Sequence, residues 1–492
     1  MLSLSSHLMH RRTISDYRYL PQSHSGAWNE RRHRLSIGLR TVIGLAPMLG
    51  HRLDDRQSIA NEQASTLALQ FAQESERPLP RQAGIGDFFV APLDILPYRG
   101  EERMQFQLLE LNGTGIGGIT NMPGPVVEDI LTSIAEIGDL CAGSAPLVVV
   151  ASSGREVATD VKPSHLLHEK LLFVDRIAGV LERRFGECDI FSLDRLAAMA
   201  GWPDCSRPAV VLGYSRELVE QAAVADGVPT LLGRKVAALV NDRCLYNLQA
   251  AHGALDSRFF LPANSCFAAG ADKAVAYRHV NSFVERSWFS EMGSKIDFNV
   301  CHCVESLFET VLKRLSRGEQ LVIKPSGTGH GDGIEFFFGS EDRSTIADRI
   351  SRSVGVVNER YGRGAGFPYT VMEYLDAEMI RRADHPLRGS KFELRIVAYR
   401  KGQKLRAVPS IAKVAPEIWD PAHPTRGALI NNVSASLRGG KTAGADHVLP
   451  LCHPETMETL GLDEEVLSRL CQWATGYVAH VLDETAAEAG MR

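Results

Sequence analysis

A carboxylate and a side-chain amide stand two residues apart at the end of an apolar run. Glu110 and Asn112 close the segment "MQFQLLELN" and are followed at once by a glycine-rich loop. On a β-strand, side chains two residues apart point to the same face. Both side chains carry oxygen, the ligand atom that Mg²⁺ prefers. The pair is therefore a candidate metal clip, and the alternative is a surface pair of no special chemistry.

A lysine followed by spaced glycines is the second candidate. In "VIKPSGTGHGDG", Lys324 ends an apolar run. The glycines follow at alternate positions, namely Gly327, Gly329, Gly331 and Gly333. Glycine lets backbone N–H groups approach an anion closely, and the lysine adds a point charge. The P-loop places its lysine after the glycines, and the dinucleotide fingerprint needs a helix after them. Here "IEFFF" predicts a strand, so we expect a strand–loop–strand lid over a polyphosphate. The alternative is a hairpin with a flexible tip.

The elements around these residues change in type along the chain. A helical pattern over Ile59–Glu76 precedes two strand-like runs joined by "RGEER", which predicts a β-hairpin. From Pro146 onward, short apolar runs alternate with helical patterns, as is typical of a small doubly wound α/β domain. In this part "DIFSL", "PAVVLGYS" and "PTLLG" are predicted strands, and "RELVEQAAVADG" is a predicted helix.

The last part of the chain predicts mixed α and β structure. The lid strands come first, followed by a strand in "PYTVMEYLDAE", a β-hairpin turning at Lys401–Gln403 and a long closing helix in "LDEEVLSRLCQWATGYVAHVLDETAAEAG". We therefore predict four regions. They are a basic N-terminal arm at 1–58, a part carrying the metal clip at 59–145, a Rossmann-like domain at 146–250 and a mixed α and β part at 251–492.

Length and composition limit the class of protein. A chain of 492 residues is too long for one ordinary core, and 44% hydrophobic with 23% charged residues is typical of soluble globular proteins. The net charge of −5 gives no reason to expect a nucleic-acid partner, and no apolar run reaches membrane-spanning length. The nine cysteines are scattered, which predicts free thiols in the cytoplasm. The basic arm is predicted to be mobile, and an organellar targeting segment is the alternative.

Two cysteine–histidine groups invite a metal interpretation. Cys301-His302-Cys303 and Cys452-His453 each supply nearby zinc-type ligands. A structural zinc site needs four ligands, and no second pair is spaced to complete one. We therefore predict buried thiols on helices at both places.

Taken together, these segments resemble the ATP-grasp superfamily, whose members clamp ATP between two α+β lobes. The resemblance implies that Lys324 and the lid hold the ATP phosphates and that Arg243 takes the place of another ATP lysine. The adenine would lie against the hinge residues Met372, Glu373, Tyr374 and Leu375. Glu393 would hold the ribose. The groups around the transferred phosphate would be Arg395, Lys413, Arg426, Asn431 and Asn432.

The order of the motifs is that of a circular permutation, as in eukaryotic glutathione synthetases. The expected Asp, hairpin and Glu-x-Asn do not follow the closing helix. They stand near the start instead, as Asp94, Glu110 and Asn112. The resemblance implies that these three groups hold one or two Mg²⁺ ions, with Mn²⁺ as a substitute. The substrate carboxylate would lie beside the loop containing Thr114, Gly115, Thr120 and Asn121.

The implied activity is ATP-dependent joining of a carboxylate to an amine through an acyl phosphate. Pro92 stands where glutathione synthetases place a substrate arginine, so glutathione synthesis itself is not expected. Small-molecule substrates such as amino acids, peptides or metabolites fit the resemblance, and a homodimer is expected by analogy alone. Two alternatives stay open, a phosphotransferase without ligation and a non-catalytic ATP-binding protein.

Overall fold

The chain is described by a computed structural model over residues 62–81, 83–84, 86–100, 103–117, 119, 122–152, 166–199, 201–253, 255–267, 270, 272–286, 291–328, 331–339, 341–361, 364–430 and 447–490. Within these ranges the fold is mixed α/β with several sheets. The N-terminal arm predicted at 1–58 lies outside them. No helix in the described ranges is both long and apolar enough to span a bilayer.

The helices are α1 Glu62–Glu74, α2 Gly124–Leu140, α3 Leu166–Phe185, α4 Leu193–Ala198, α5 Ser215–Gln221, α6 Asp242–His252, α7 Lys273–Arg286, α8 Val304–Leu315, α9 Arg343–Tyr361, α10 Arg426–Leu429, α11 Pro454–Leu460 and α12 Glu464–Gly490. The strands are β1 Arg77–Pro78, β2 Val90–Arg99, β3 Met104–Leu111, β4 Leu147–Ser152, β5 Asp189–Ser192, β6 Ala209–Tyr214, β7 Ala222–Ala225, β8 Val228–Leu231, β9 Arg234–Lys235, β10 Ala238–Val240, β11 Leu261–Pro262, β12 Phe298–Cys301, β13 Leu321–Pro325, β14 Glu335–Phe337, β15 Tyr369–Glu373, β16 Phe392–Lys401, β17 Lys404–Val414 and β18 Val448–Pro450.

The largest sheet is antiparallel and joins the two ends of the chain. Its order is β1-β17-β16-β2-β3, with β18 on β17, so the early β2–β3 hairpin pairs with the late β16–β17 hairpin. Asp94 on β2 lies opposite Arg395 on one side and Glu110 on the other. The register shifts beside both Asp94 and Arg395, and such bulges re-aim side chains. Helices α1, α2 and α12 pack on this sheet.

A second antiparallel sheet carries the lid and the hinge. Its order is β12-β15-β13-β14, and helices α8 and α9 pack against it. Leu321 and Ile323 alternate along β13 and are buried with Val371 of β15 against the helices. Because side chains alternate on a strand, Lys324 points to the face opposite Ile323.

The third sheet is parallel, with the order β11-β10-β4-β6-β5. Val148 and Val150 of β4 pack on the side of α3, and Leu147 and Val149 pack on the side of α5 and α6. Helices thus cover both faces, which explains why β4 is apolar throughout. The edge strand β11 lies beyond residue 250, so this domain extends past the predicted boundary.

One predicted helix in this domain was wrong in its second half, and one correctly predicted strand lies in a different sheet. The segment "RELVEQAAVADG" was predicted as one helix, but α5 ends at Gln221 and Ala222–Ala225 form β7. The strand in "PTLLG" belongs to β8, which pairs antiparallel with β7 in a separate sheet. The cause is the turn at Asp226 and Gly227, whose φ values of 52° and 75° suit a two-residue hairpin.

The cysteine prediction was also partly wrong. Cys301 is buried, but it ends β12 rather than lying on a helix. Cys303 is exposed and caps α8, because its sulfur accepts a hydrogen bond from the backbone N–H of Ser306. Cys452 is buried as predicted, but it precedes α11. The prediction failed because helix caps were not considered.

Candidate functional site

Asp94 is the centre of a buried charge cluster on the largest sheet. Its side chain is 4% exposed. Arg395 donates to both of its oxygens, from Nε and from Nη2, at 2.7 Å each. The Nζ of Lys413 lies 3.0 Å from Asp94 Oδ2, and the amide of Asn112 donates to the same oxygen at 2.9 Å. Both carboxylate oxygens are therefore engaged.

These charges determine the ionisation of the cluster. Burial alone would raise the pKa of Asp94, but the charges of Arg395 and Lys413 outweigh burial and lower it. The carboxylate in turn raises the pKa of Arg395 against the effect of burial. Asp94 is thus a fixed anion. Because both of its oxygens already contact cations, Asp94 in this arrangement holds the amide of Asn112.

Glu110 and Asn112 lie next to this cluster. Because Asn112 donates its amide N–H to Asp94, its side-chain oxygen faces away from that carboxylate. Glu110 is 30% exposed and forms an ion pair with Lys273. Burial would raise the pKa of Glu110, but the charge and hydrogen bond of Lys273, together with the charge of Lys413, lower it. The clip therefore presents one carboxylate and one amide oxygen.

The lid lysine meets this clip across the two antiparallel sheets. Lys324 is partly buried, and its Nζ lies 5.9 Å from the ring centroid of the buried Tyr277. Burial lowers the pKa of Lys324, and the charge of Glu110 acts in the opposite direction. The structure thus places Lys324 within electrostatic reach of Glu110, although the two are more than two hundred residues apart in sequence.

Lys273 is a site residue that the sequence interpretation missed. It is the first residue of α7, and its partner Glu110 is the predicted metal ligand. The sequence signals only the start of this helix, where Asp272 accepts a hydrogen bond from the N–H of Ala274 at 2.7 Å, and gives no sign of the ion pair. The backbone of Arg243, the cation expected instead, lies in α6, and its side chain falls outside the described part of the structure.

Two other predicted cationic residues have different surroundings. Lys413 pairs with Glu393, the predicted ribose acid, as well as with Asp94. Arg426 is exposed and contacts the lid, donating to the carbonyl oxygens of Gly331 and, at 3.0 Å, of Ile334. In the described residues, Arg426 therefore joins the lid rather than the charge cluster. Asn431 and Asn432 lie outside the described ranges.

The lid and hinge have the predicted backbone form. Gly327 and Gly331 adopt positive φ values of 67° and 73°, which only glycine adopts readily, and Gly329 lies outside the described residues. In the hinge, Met372 is buried and Glu373 is exposed.

Beyond the strand, Tyr374 and Leu375 continue the hinge. The N–H of Tyr374 donates to the carbonyl of Gln320 at 2.8 Å. Its ring packs against Phe336 and Phe338 of the lid side at centroid distances of 6.0 and 5.2 Å. Both contacts are edge-to-face, so Tyr374 belongs to an aromatic cluster beside the lid.

The loop after the clip is held from two sides. The carbonyl of Ile116 accepts a hydrogen bond from Arg395 at 2.8 Å, and the carbonyl of Thr114 accepts one from Lys170 of α3 at 2.7 Å. Gly115 lies between them. Thr120 and Asn121 lie outside the described residues.

The donor set fits Mg²⁺ only in combination with phosphates. Among the described residues, no group of three or more His, Cys, Asp or Glu side chains is arranged to hold a metal ion. Glu110 and Asn112 supply two oxygens, and Mg²⁺ is commonly held by one or two protein groups together with water and substrate phosphates. Lys324 stands where such phosphates would need a positive charge.

No known family model matches this chain. No curated protein matches it either.

Proposed function

We propose that this protein is an ATP-dependent ligase of the ATP-grasp type, which joins a carboxylate to an amine through an acyl phosphate. The observation that carries the proposal is that helix α7 contacts both residues: Lys273 pairs with Glu110, and Tyr277, one turn further along, has its ring centroid 5.9 Å from the Nζ of Lys324. A metal clip and a phosphate lysine must act on the same phosphates, so their proximity is what an ATP site requires.

The sheet order gives independent support. A permuted ATP-grasp chain must insert its early hairpin beside its late hairpin, and β2 lies next to β16. The lid and hinge occupy a separate antiparallel sheet with two helices, as one lobe of such a clamp would. The α/β domain between them in sequence would carry part of the substrate site.

The residues divide the work by charge. Lys324 and Lys273 would neutralise the ATP phosphates, while Asn112, oriented by Asp94, and Glu110 would hold Mg²⁺. An Mg²⁺ ion held by Glu110 and Asn112 would supply positive charge that stabilises the phosphates. The substrate carboxylate oxygen would attack the γ-phosphorus, and ADP would leave with the bonding electrons. The amine would then attack the acyl carbon and expel phosphate, losing its proton to phosphate or solvent. Positioning and electrostatics suffice, without a nucleophilic side chain.

The test is a screen of carboxylate and amine pairs for ADP release, with mass detection of the product. We expect ADP release that depends on both substrates and on Mg²⁺. Glu110→Ala and Lys324→Ala should each abolish it, while the control Lys295→Ala, at a lysine that is 55% exposed, should not. Release that needs the carboxylate but no amine would support a phosphotransferase instead. If Glu110→Ala and Lys324→Ala kept full activity, the site would be wrong.

A further inference from the structure

Most of the described residues of the loop, 114–117 and 119, are buried, yet backbone polar groups among them are bound by charged side chains from other elements. Thr114, Ile116 and Ile119 are each at most 1% exposed. Burying a charge is costly unless it is paired and hydrogen-bonded. We therefore look for a function of these charged groups other than stabilising the fold.

Helix α3 of the α/β domain supplies two of these groups. Glu169 is 3% exposed, and its carboxylate accepts hydrogen bonds from the backbone N–H groups of Gly117 and Ile119. Lys170 is fully buried, and its Nζ donates to the carbonyl and, at 3.2 Å, to the hydroxyl of Thr114. The same ammonium lies 4.5 Å from the ring centroid of Phe173. A carboxyl group, whose pKa is raised by burial, and an amine thus bind opposite ends of one short loop.

The charge cluster holds the middle of the same loop. Arg395 donates one N–H to the carbonyl of Ile116 and two to Asp94, which orients Asn112. The charges of Glu169 and Arg395 also interact. The contacts therefore form a continuous chain from α3, through the loop, to the metal clip. The clip residue Asn112 stands two residues before the loop begins.

We propose that Glu169 and Lys170 are positioning residues, which fix the loop at 114–119 and thereby hold Asn112 and Glu110 in the geometry that binds the metal–nucleotide complex. The inference rests on the proposed function, because it assigns the α/β domain a role in that same site. Neither residue contacts the reacting atoms. Partners that orient metal ligands from behind commonly change metal affinity or activity by about 10–100-fold when removed.

The test compares Glu169→Ala and Lys170→Met with a matched control on the same helix. Arg184 also donates to backbone carbonyls, those of Asp139 at 3.0 Å and Cys141 at 3.2 Å, but at the far end of α3. Arg184→Met therefore removes a cation that binds carbonyls without touching the loop. The probe is the Mn²⁺–ATP complex, whose binding is measured by electron paramagnetic resonance on the full-length protein.

A second readout is hydrogen–deuterium exchange of the peptide that covers residues 113–119. We expect both test variants to bind Mn²⁺–ATP about tenfold more weakly and to exchange this peptide faster, whereas Arg184→Met changes neither. Glu169→Gln and Lys170→Arg, which keep an acceptor and a donor, should recover most of the affinity. These conservative variants also decide the matter if the larger changes prevent folding.

The outcomes separate the two proposals. If the wild-type protein binds no Mn²⁺–ATP, the proposed function fails, and the exchange of the loop still decides whether α3 fixes it. If the wild-type protein binds Mn²⁺–ATP and all variants bind it equally, with unchanged exchange, the positioning role is overturned and the site stands. A loss of affinity in Arg184→Met equal to that in Lys170→Met would also overturn it.

Discussion

Removing the charge of Asp94 tests the central cluster most directly. Asp94→Asn keeps the shape of the side chain but withdraws the anion that lies between Arg395 and Lys413. Arg395 would lose its counter-ion and keep as acceptors one amide oxygen at position 94 and the carbonyl of Ile116, while Lys413 would keep Glu393. Loss of one partner from a buried ion pair costs about 3–5 kcal/mol. Because Lys413 retains a counter-ion and the space stays filled, we expect the free energy of unfolding to fall by about 3 kcal/mol, the lower end of that range.

Urea unfolding at neutral pH, followed by tryptophan fluorescence, measures this loss. The control is Glu285→Gln, which breaks the ion pair with Lys295 on the surface, where both side chains are 55% exposed. Such pairs contribute little, so the control should unfold at the wild-type midpoint. An equal loss in both variants, or none in Asp94→Asn, would refute the view of Asp94 as the centre of the cluster.

The same comparison has a defined pH dependence. The pKa of Asp94 is lower in the folded protein than its unfolded value of about 4. Its contribution to stability is therefore present above that unfolded value and is lost as the pH falls towards the folded one. The difference between the wild type and Asp94→Asn should shrink in acid, and a difference that grew there would contradict the assigned ionisation.

Three further changes follow from the same structure. Burial lowers the pKa of Lys324, so the charged form of this lysine destabilises the folded protein below that pKa. Lys324→Met should therefore lose ATP turnover without lowering the thermal midpoint at neutral pH. A clear fall of the midpoint would contradict this prediction. Lys273 lowers the pKa of Glu110, so Lys273→Met should move the acid limb of the pH–rate profile to higher pH. If the limb did not move, the titration that causes it would not be that of Glu110. Cys303→Ala should lower the stability measured by thermal unfolding by at most about 1 kcal/mol, because the cap of α8 is lost, while Cys303→Ser should not lower it. Equal thermal midpoints for the two variants would show that the cap does not stabilise α8.

Local pattern predicted most of the elements. The two hairpins that make up the largest sheet, the lid strands and the closing helix all lie where alternation and turn residues indicated. The failure at Ala222–Ala225 is instructive, because a helix-favouring run met an Asp-Gly turn and the turn prevailed. Pairing with β8 gives the backbone of Ala222–Ala225 hydrogen-bond partners on another strand. Helix propensity describes the single segment alone and does not take such partners into account.

The sequence alone could not predict which charged side chains pair with one another. Asp94 and Glu110 both looked like metal ligands, since carboxylates on one hairpin are chemically alike. What separates their roles is the register with β16, which places Arg395 opposite Asp94 across three hundred residues of chain. Lys273 was missed for the same reason, because its ion pair with Glu110 exists only once α7 packs against β3.

The neutralisation of Asp94 also explains what this site would select. With Asp94 committed to Arg395 and Lys413, the clip keeps one carboxylate and one amide oxygen, too few to bind a bare divalent ion well. Lys273 already balances Glu110, so a lone cation would meet a site without excess negative charge. Phosphates would change this, because they supply both the missing oxygens and the negative charge, and would draw Lys273 and Lys324 towards themselves. Under the proposed function, the arrangement would therefore favour a metal–nucleotide complex over its separate parts.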